Sequence, residues 1–584
     1  MFERLLKAAR DLDDASSLSD ASEVLLQQAV PDGLSLDDIS KLAAEIQNGP
    51  DATAVLSAIY VSLKSDKLGI NPGNASVDKA VFEDIALRIG QAMEPVCSGA
   101  AFDEDSTNYA VLLRNGLLGL RILSLLLTLA PRGDLVFPTK TLLSVIAFTN
   151  RQDPWTSDSC AELARSLLSE SIPNTPLPLP RSSRDAEAGT SPGEKKTPGT
   201  DQARFITEDV LTGFLRPLFA KSRPTTVTAS GRPAAFPEAP SRYSQGDGFG
   251  GGGGDATATK PWKYARRYAV TLFAWAVENA DTDLLQRHWH LYTPILLTLL
   301  DEPQPTTLKL CSLSIFRAFR RLCPEGLLSR TGLAEVFEQA VFPTVLNLPS
   351  LTPEAESLSL LSAAYPALFD MAGLEDVNSM AADDGNEEVE SETTNGKPVI
   401  DKRNAQSGGL SEAQRKLLDR IVRDGIMVGY HHAKGHIRLV DFFCQTLRRL
   451  VDGMGILSVK YLKDLIPMIS DILVDPFGTK YPPALLSAMR LLQAVLQSCW
   501  PRVPHYCNEI IKIAMVSWLN IEDDEDSFPP SKPTKIELKQ ELTRIVELLS
   551  AITAAAKLDM SDRVFPLIAK EPQLRPLFTS CEAR

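Results

Sequence analysis

The chain has 584 residues, 44% hydrophobic and 23% charged, a composition that excludes a wholly disordered, collagen-like or disulfide-dense protein. At about 150 residues per domain, this length gives roughly four domains or one long repeat array. The formal net charge of -14 is unevenly placed: residues 371–409 hold nine acids and three bases, and EDDED at 522–526 adds five acids. The rest of the chain is close to neutral, which argues against a nucleic-acid ligand, because a phosphate-binding surface needs clustered Lys and Arg.

In chain order, residues 1–172 form an N-terminal helical region whose strongest element is Tyr109–Leu129. Its most apolar stretch, Leu117–Ala130, is 14 residues long and contains Arg121. A membrane span needs about 20 apolar residues, so no transmembrane segment and no membrane partner are expected. Residues 173–259 carry 11 Pro and 12 Gly and read as linker. Within them, Phe205–Ala220 (FITEDVLTGFLRPLFA) has helical apolar spacing and predicts a short helix that either docks elsewhere or folds back on the body.

Residues 260–370 return to helical spacing, beginning with Tyr264–Asn279. An acidic loop at 371–409 separates them from a C-terminal helical region, 410–584. That region holds the predicted helices Leu410–Val428, Arg438–Val451 and Ile536–Ala555, with a shorter loop at 522–533. Alternating strand patterns are absent, so the fold class is all-α.

Two segments share a register. Pro294, Pro303, Ser314 and Arg317 each correspond, 173 residues on, to Pro467, Pro476, Ser487 and Arg490. Leu296, Leu300 and Leu313 likewise align with Ile469, Leu473 and Leu486. The shared unit is a helix with an early Pro, a turn, and a second apolar helix carrying an Arg; Pro343–Leu368 reads as a degenerate third copy. Hairpins of this kind bury their apolar faces by stacking, which predicts a HEAT- or armadillo-like α-solenoid with a face open to other proteins.

Chemistry is sparse. Gly248, Gly250 and Gly253 satisfy G-x-G-x-x-G, but no strand precedes them and no helix pattern follows. His432 and His436 are four apart beside His431, yet Gly429 and Gly435 flank them as in a turn and no further ligand sits at supporting spacing. His288 and His290 flank Trp289 at a predicted helix start, where packing is the expected role. Eight cysteines lie in apolar runs without C-x-x-C, and no secretory leader opens the chain. They read as reduced, buried thiols of an intracellular, cytoplasmic protein, with a nuclear pool allowed.

The basic and aromatic cluster Trp262, Lys263, Tyr264, Arg266, Arg267 and Tyr268 reads as a helix start whose rings pack inward while the cations stay solvated. Arg320 and Arg321, like Arg448 and Arg449, are expected at helix ends, where cations suit the macrodipole. No paired carboxylates suggest acid–base work. An enzyme is therefore not expected, and no cofactor or metal is assigned.

The most distinctive stretch, His436–Val503, contains VDGMGIL (Val451–Leu457), LKDLIPMISDIL (Leu462–Leu473), DPFGTKYPPALL (Asp475–Leu486) and CWPRV (Cys499–Val503). In DPFGTKYPP, Pro476, Pro482 and Pro483 interrupt helices, Gly478 permits a left-handed backbone, and Pro483 suits a first helical position. Asp452, Gly453 and Gly455 form a second expected turn, with Met454 and Ile456 packing inward. Phe477, Lys480, Tyr481, Arg448 and Arg449 are the candidate partner contacts.

These strings, about an eighth of the chain, resemble the Tel-two-interacting-protein family in its Tti-two branch. The resemblance implies a non-enzymatic solenoid subunit of the TTT co-chaperone complex, beside a Tel-two-like subunit and a larger Tti-one-like solenoid. With the ninety-kilodalton heat-shock chaperone, such a complex supports the maturation of phosphatidylinositol-kinase-related kinases of DNA-damage and TOR signalling. From the HEAT-like units alone, a transport receptor or cargo adaptor is the alternative.

Overall fold

The computed structural model describes residues 2–11, 20–46, 50–69, 75–97, 109–130, 135–172, 199–224, 226–228, 231–234, 260–324, 326–374, 410–524 and 533–579. Every extended element among them is helical, and two isolated bridges, Leu34 with Leu68 and Val227 with Pro233, are their only β pairings. The fold is all-α. Two compact units are present: Met1–Asp301 with Leu322–Leu333, and Glu302–Arg321 with Ala334–Arg584.

The first unit begins with α1 (Glu3–Asp11), α2 (Asp20–Gln28), α3 (Leu36–Ala44), α4 (Pro50–Lys64), α5 (Ala75–Met93), α6 (Tyr109–Leu129), α7 (Thr139–Ile146) and α8 (Asp158–Ser171). Helix α3 opens on a capping box: the Asp38 amide donates to Ser35 Oγ, and the Ser35 amide donates to the Asp38 carboxylate. Helix α6 is the spine of this unit, packed by α4, α5 and α8, with Leu120, Ile122, Leu123 and Leu126 wholly buried. It is 21 residues long with a window of mean hydropathy 1.7, long and apolar enough by composition to cross a membrane, more than the shorter apolar run predicts. Gly116 on α6 admits the Phe148 ring, whose Cε1 would lie 2.2 Å from an added Cβ.

Residues 199–224 contain the helix expected over Phe205–Ala220, and of its two readings it is the one that folds back on the body. Helix α9 (Gly199–Arg204) runs into a wide-turned π-type stretch, Phe205–Leu215, and on into α10 (Arg216–Phe219). Phe205, Ile206, Val210, Leu211 and Leu215 are buried core, and the stretch packs on the two long helices that follow α11. The apolar periodicity of Phe205–Ala220, and not the Pro and Gly content of the region around it, decides the local structure. Gly248, Gly250 and Gly253 lie outside the described residues.

After α11 (Pro261–Tyr264) come α12 (Ala269–Glu278) and α13 (Thr282–Asp301). The single helix expected from Tyr264 is broken at 265–268. Trp262 stacks on Phe219 with centroids 4.9 Å apart, and Tyr268 stacks on Phe214 at 5.8 Å. Six positions span about 240° of turn on a regular helix, so only a break lets both rings face the same neighbour. Lys263 is buried, not solvated as expected. His288 lies at a kink in α13 and His290 just after it, where two helical segments join, so the expected helix start falls at this break within Thr282–Asp301.

Helix α14 (Thr306–Leu322) belongs mainly to the second unit, α15 (Leu327–Thr331) to the first, and α16 (Leu333–Val341) begins at the boundary between them. The second unit continues with a 3₁₀ turn at Phe342–Leu346, α17 (Glu354–Ala372), α18 (Glu412–Arg420), a wide-turned stretch Ile421–Met427, α19 (Val428–Ala433), α20 (Ile437–Met454), a 3₁₀ stretch Gly455–Tyr461, α21 (Leu462–Leu473), α22 (Pro482–Ser498), α23 (Cys507–Asp523), α24 (Pro533–Ala555) and α25 (Ser561–Lys570). The expected third repeat copy thus has one 3₁₀ turn in place of its first helix. Residues 375–409 and 525–532, most of the two acidic loops, lie outside the described residues.

Helices α20, α22 and α24 form one layer of this unit, while α21 packs on α22 and α23, and α23 on α24. Contacts within the layer advance together: Ser487 Oγ donates to Asp441 at 2.5 Å, Arg490 meets Glu537, and Gln493 Nε2 donates to Glu541 at 2.6 Å. Arg490 and Gln493 on α22 meet Glu537 and Glu541 on α24 in the same order, so these two helices run parallel, as in stacked HEAT-type hairpins in which each unit covers the apolar face of the last.

Candidate interaction surface

The turn between α21 and α22 places the first group of expected residues. Pro467 sits inside α21, and the helix ends at Leu473. Asp475 Oδ1 accepts the Phe477 amide at 2.9 Å, a local turn that its short side chain is built to make. An added Cβ on Gly478 would lie 3.0 Å from Leu485 Cδ2, so the turn presses on the next helix. Pro482 and Pro483 do not stop a helix; they occupy the opening of α22, where a missing amide hydrogen costs nothing.

Neighbouring helices pin this turn. Thr479 donates to Asp524, Lys480 lies 3.7 Å from the same carboxylate, and Asn520 Nδ2 donates to the Val474 carbonyl at 3.1 Å. Burial alone would raise the Glu522 carboxyl, but hydrogen bonds from Lys539 and Lys535 outweigh it and hold the group below the usual carboxylate range. On this held loop Phe477 is 76% exposed. A large ring on an ordered backbone has lost little freedom left to lose, and its burial against a partner is worth about 1.5–3 kcal/mol.

The second group behaves differently. Asp452 and Gly453 are in α20, not in a turn; an added Cβ on Gly453 would lie 2.7 Å from Leu374 Cδ2, so this glycine serves close packing. The chain reverses at Gly455, whose φ is +52°. Met454 is buried as expected, but Ile456 is exposed, as is Trp500 in the turn after α22. Arg448 and Arg449 precede the end of α20 by more than a turn. Arg448 faces Asp452 at 3.7 Å, and Arg449 lies over the Phe369 ring at 5.5 Å. Burial and the nearby charge of Arg317 lower the Arg449 pKa, which marks it as a packed group more than a free contact. Tyr481 is half-buried at the head of α22.

His431 and His432 end α19, and His436 caps α20 with Nδ1 3.1 Å from Glu354. Among the described residues, no group of three His, Cys, Asp or Glu side chains could hold a metal ion. The basic cluster is absorbed into the body: Arg267 donates to the Tyr109 hydroxyl at 2.8 Å, Arg266 faces Glu94 at 3.6 Å, and the Tyr268 hydroxyl donates to Glu94. The seven cysteines among the described residues are free thiols, and burial pushes Cys499 up to about 12, far from a reactive thiolate. The residues that sequence reasoning missed are Asn520, Asp524 and Trp500. CWPRV contains the last, whereas Asp524 was hidden in an acidic run that reads as loop.

An exposed ring thus stands on a braced turn within stacked hairpins. A search of curated proteins finds no match. Among solved structures, a crystal structure of Kap121p bound to Pho4p is similar at 11% identity and a TM-score of 0.34, over 97% of this chain and 52% of that one. The chain thus spans about half the length of that protein. A model of the Tti2 family matches residues 141–480. That match includes VDGMGIL, LKDLIPMISDIL and the turn as far as Lys480, and it reaches much further toward the N-terminus than those strings do. With more than half of its residues inside the match, the chain belongs to the Tti2 family.

Proposed function

We propose that this protein is a non-catalytic scaffold subunit of the TTT complex. It acts beside a Tel-two-like subunit and a larger Tti-one-like solenoid as an adaptor to the ninety-kilodalton heat-shock chaperone, in the maturation of phosphatidylinositol-kinase-related kinases. Family membership supports a TTT-related role. The observation that carries the scaffold reading is Phe477, presented at 76% exposure on a turn tied down by Asp475, Asn520 and Asp524. Ordered aromatic anchors of this kind dominate protein interfaces.

The cytoplasm, with a nuclear pool, is the proposed location. Affinity purification of the protein from its own cells tests the reading: Tel-two-like and Tti-one-like chains are expected at stoichiometric levels, and recovery of neither would overturn it.

A further inference from the structure

The first unit contains an open cavity of about 430 Å³ between α10 and α13, lined by Arg216, Phe219, Ala220, Arg223, His290, Leu291, Pro294 and Ile295. Its floor is apolar. Among the described residues, the charged groups that line it are all cationic or able to become so, and no carboxylate is among them. Arg216 and Arg223 are exposed, and neither has an ion-pair partner among the described residues.

The fold builds this site in two steps. The wide-turned helix Phe205–Leu215 leads into Arg216 and Phe219, and Phe219 is held by its stack on Trp262, whose indole nitrogen donates to Ser222 at 2.8 Å. Opposite, Pro294 inside α13 has no amide hydrogen for the carbonyl of residue 290. Gly231, at φ +71°, is pressed against that carbonyl: an added Cβ would lie 2.8 Å from His290 O. The kink and the loop together fix His290 at the rim.

Burial, His288 and Arg216 all lower the His290 pKa. Guanidinium groups gathered over an apolar floor, with no anion among the described residues that line it, are matched by carboxylates on a partner, because Arg pairs with them in a planar, two-point geometry.

We propose that this cavity docks an acidic peptide segment of a partner protein, its carboxylates meeting Arg216, Arg223 and His290 and an apolar side chain resting on Phe219 and Ile295. The assignment goes beyond the scaffold reading and stands apart from the Phe477 turn.

The test uses the full chain and a fluorescein-labelled peptide of Asp and Glu interspersed with Leu and Phe, read by fluorescence anisotropy. The double variant Arg216→Gln, Arg223→Gln should weaken binding by about tenfold or more, and raised salt should weaken it in the parent. Both arginines are exposed, so circular dichroism and thermal melting should match the parent. Arg287→Gln removes an exposed cation on the same helix outside the cavity and should leave binding unchanged.

An unaltered affinity in the double variant, or an equal loss from Arg287→Gln, would overturn the proposal. Peptide binding that arises only after removal of residues 375–409 would assign the cavity to that acidic segment, and self-association abolished by the double variant would assign it to a second copy. Either outcome also overturns it.

Discussion

Arg317 Nε lies 2.8 Å from Asp370 Oδ2. The arginine aligned with it 173 residues on, Arg490, makes the corresponding contact, its Nη2 3.1 Å from Glu537 Oε1. Each arginine on the second helix of a repeat reaches a carboxylate on a helix further along the chain. The repeat register is therefore not a sequence coincidence in the apolar positions alone: it carries the ion pair that ties one hairpin to the next.

The two pairs differ in burial, and their strengths should differ accordingly. Side-chain exposure is 24% and 15% for Arg317 and Asp370, against 42% and 46% for Arg490 and Glu537. Arg317→Ala leaves a carboxylate largely removed from water and should cost about 1–3 kcal/mol. Arg490→Ala should cost less than about 1 kcal/mol. Double-mutant cycles in urea check both values, and equal couplings would contradict the burial argument.

Phe477→Ala should separate binding from folding. The side chain touches little in the free protein, so stability should change by no more than about 0.5 kcal/mol. Affinity for the Tti-one-like subunit should fall about ten- to a hundredfold, measured by titration calorimetry. Unchanged affinity would remove this ring from the interface.

Close packing makes Gly116 intolerant of a side chain. With Phe148 Cε1 2.2 Å from an added Cβ, Gly116→Ala should destabilise the first unit by about 1–3 kcal/mol. Gly435→Ala, at a position with nothing within 4 Å of the added Cβ, should be neutral or slightly stabilising. Denaturation of the two variants side by side distinguishes strain from a general intolerance of change.

Asp153 should make the first unit pH-sensitive. Burial pushes its carboxyl up to about 6, against hydrogen bonds from Thr271 and Asn150, whereas an unfolded Asp titrates near 3.9. Between about pH 4 and pH 6 the unfolded chain has lost a proton that the folded chain keeps, so stability falls as pH rises through that window, by up to about 3 kcal/mol, and levels off above it. Asp153→Asn should flatten this dependence. Hydrogen exchange across α7 and α8 reads it, and an unchanged slope in the variant would assign the dependence to another group.

Much of the helical architecture was legible because amphipathic spacing is local: Tyr109–Leu129 has the bounds its apolar pattern predicts, and the helix predicted over Arg438–Val451 extends only to Ile437–Met454. At Phe205–Ala220 the apolar spacing showed the helix despite the surrounding Pro and Gly, whereas its burial against the body did not follow from spacing alone. Gly453 looked like a turn residue, since glycine's need for a turn and its need for space look alike in sequence. Only Leu374, which packs against it, tells them apart.

By itself the sequence determined an all-α chain of hairpins, the two-copy register and the turn that carries Phe477, because each follows from spacing within a few turns of helix or from Pro and Gly chemistry. The tertiary structure decided which exposed groups are held in place and which cations gather. Asp524 reaches the Phe477 turn, and Arg216, Arg223 and His290 share one cavity. Those residues are distant along the chain, and only packing of the helices that carry them sets whether their charges face each other.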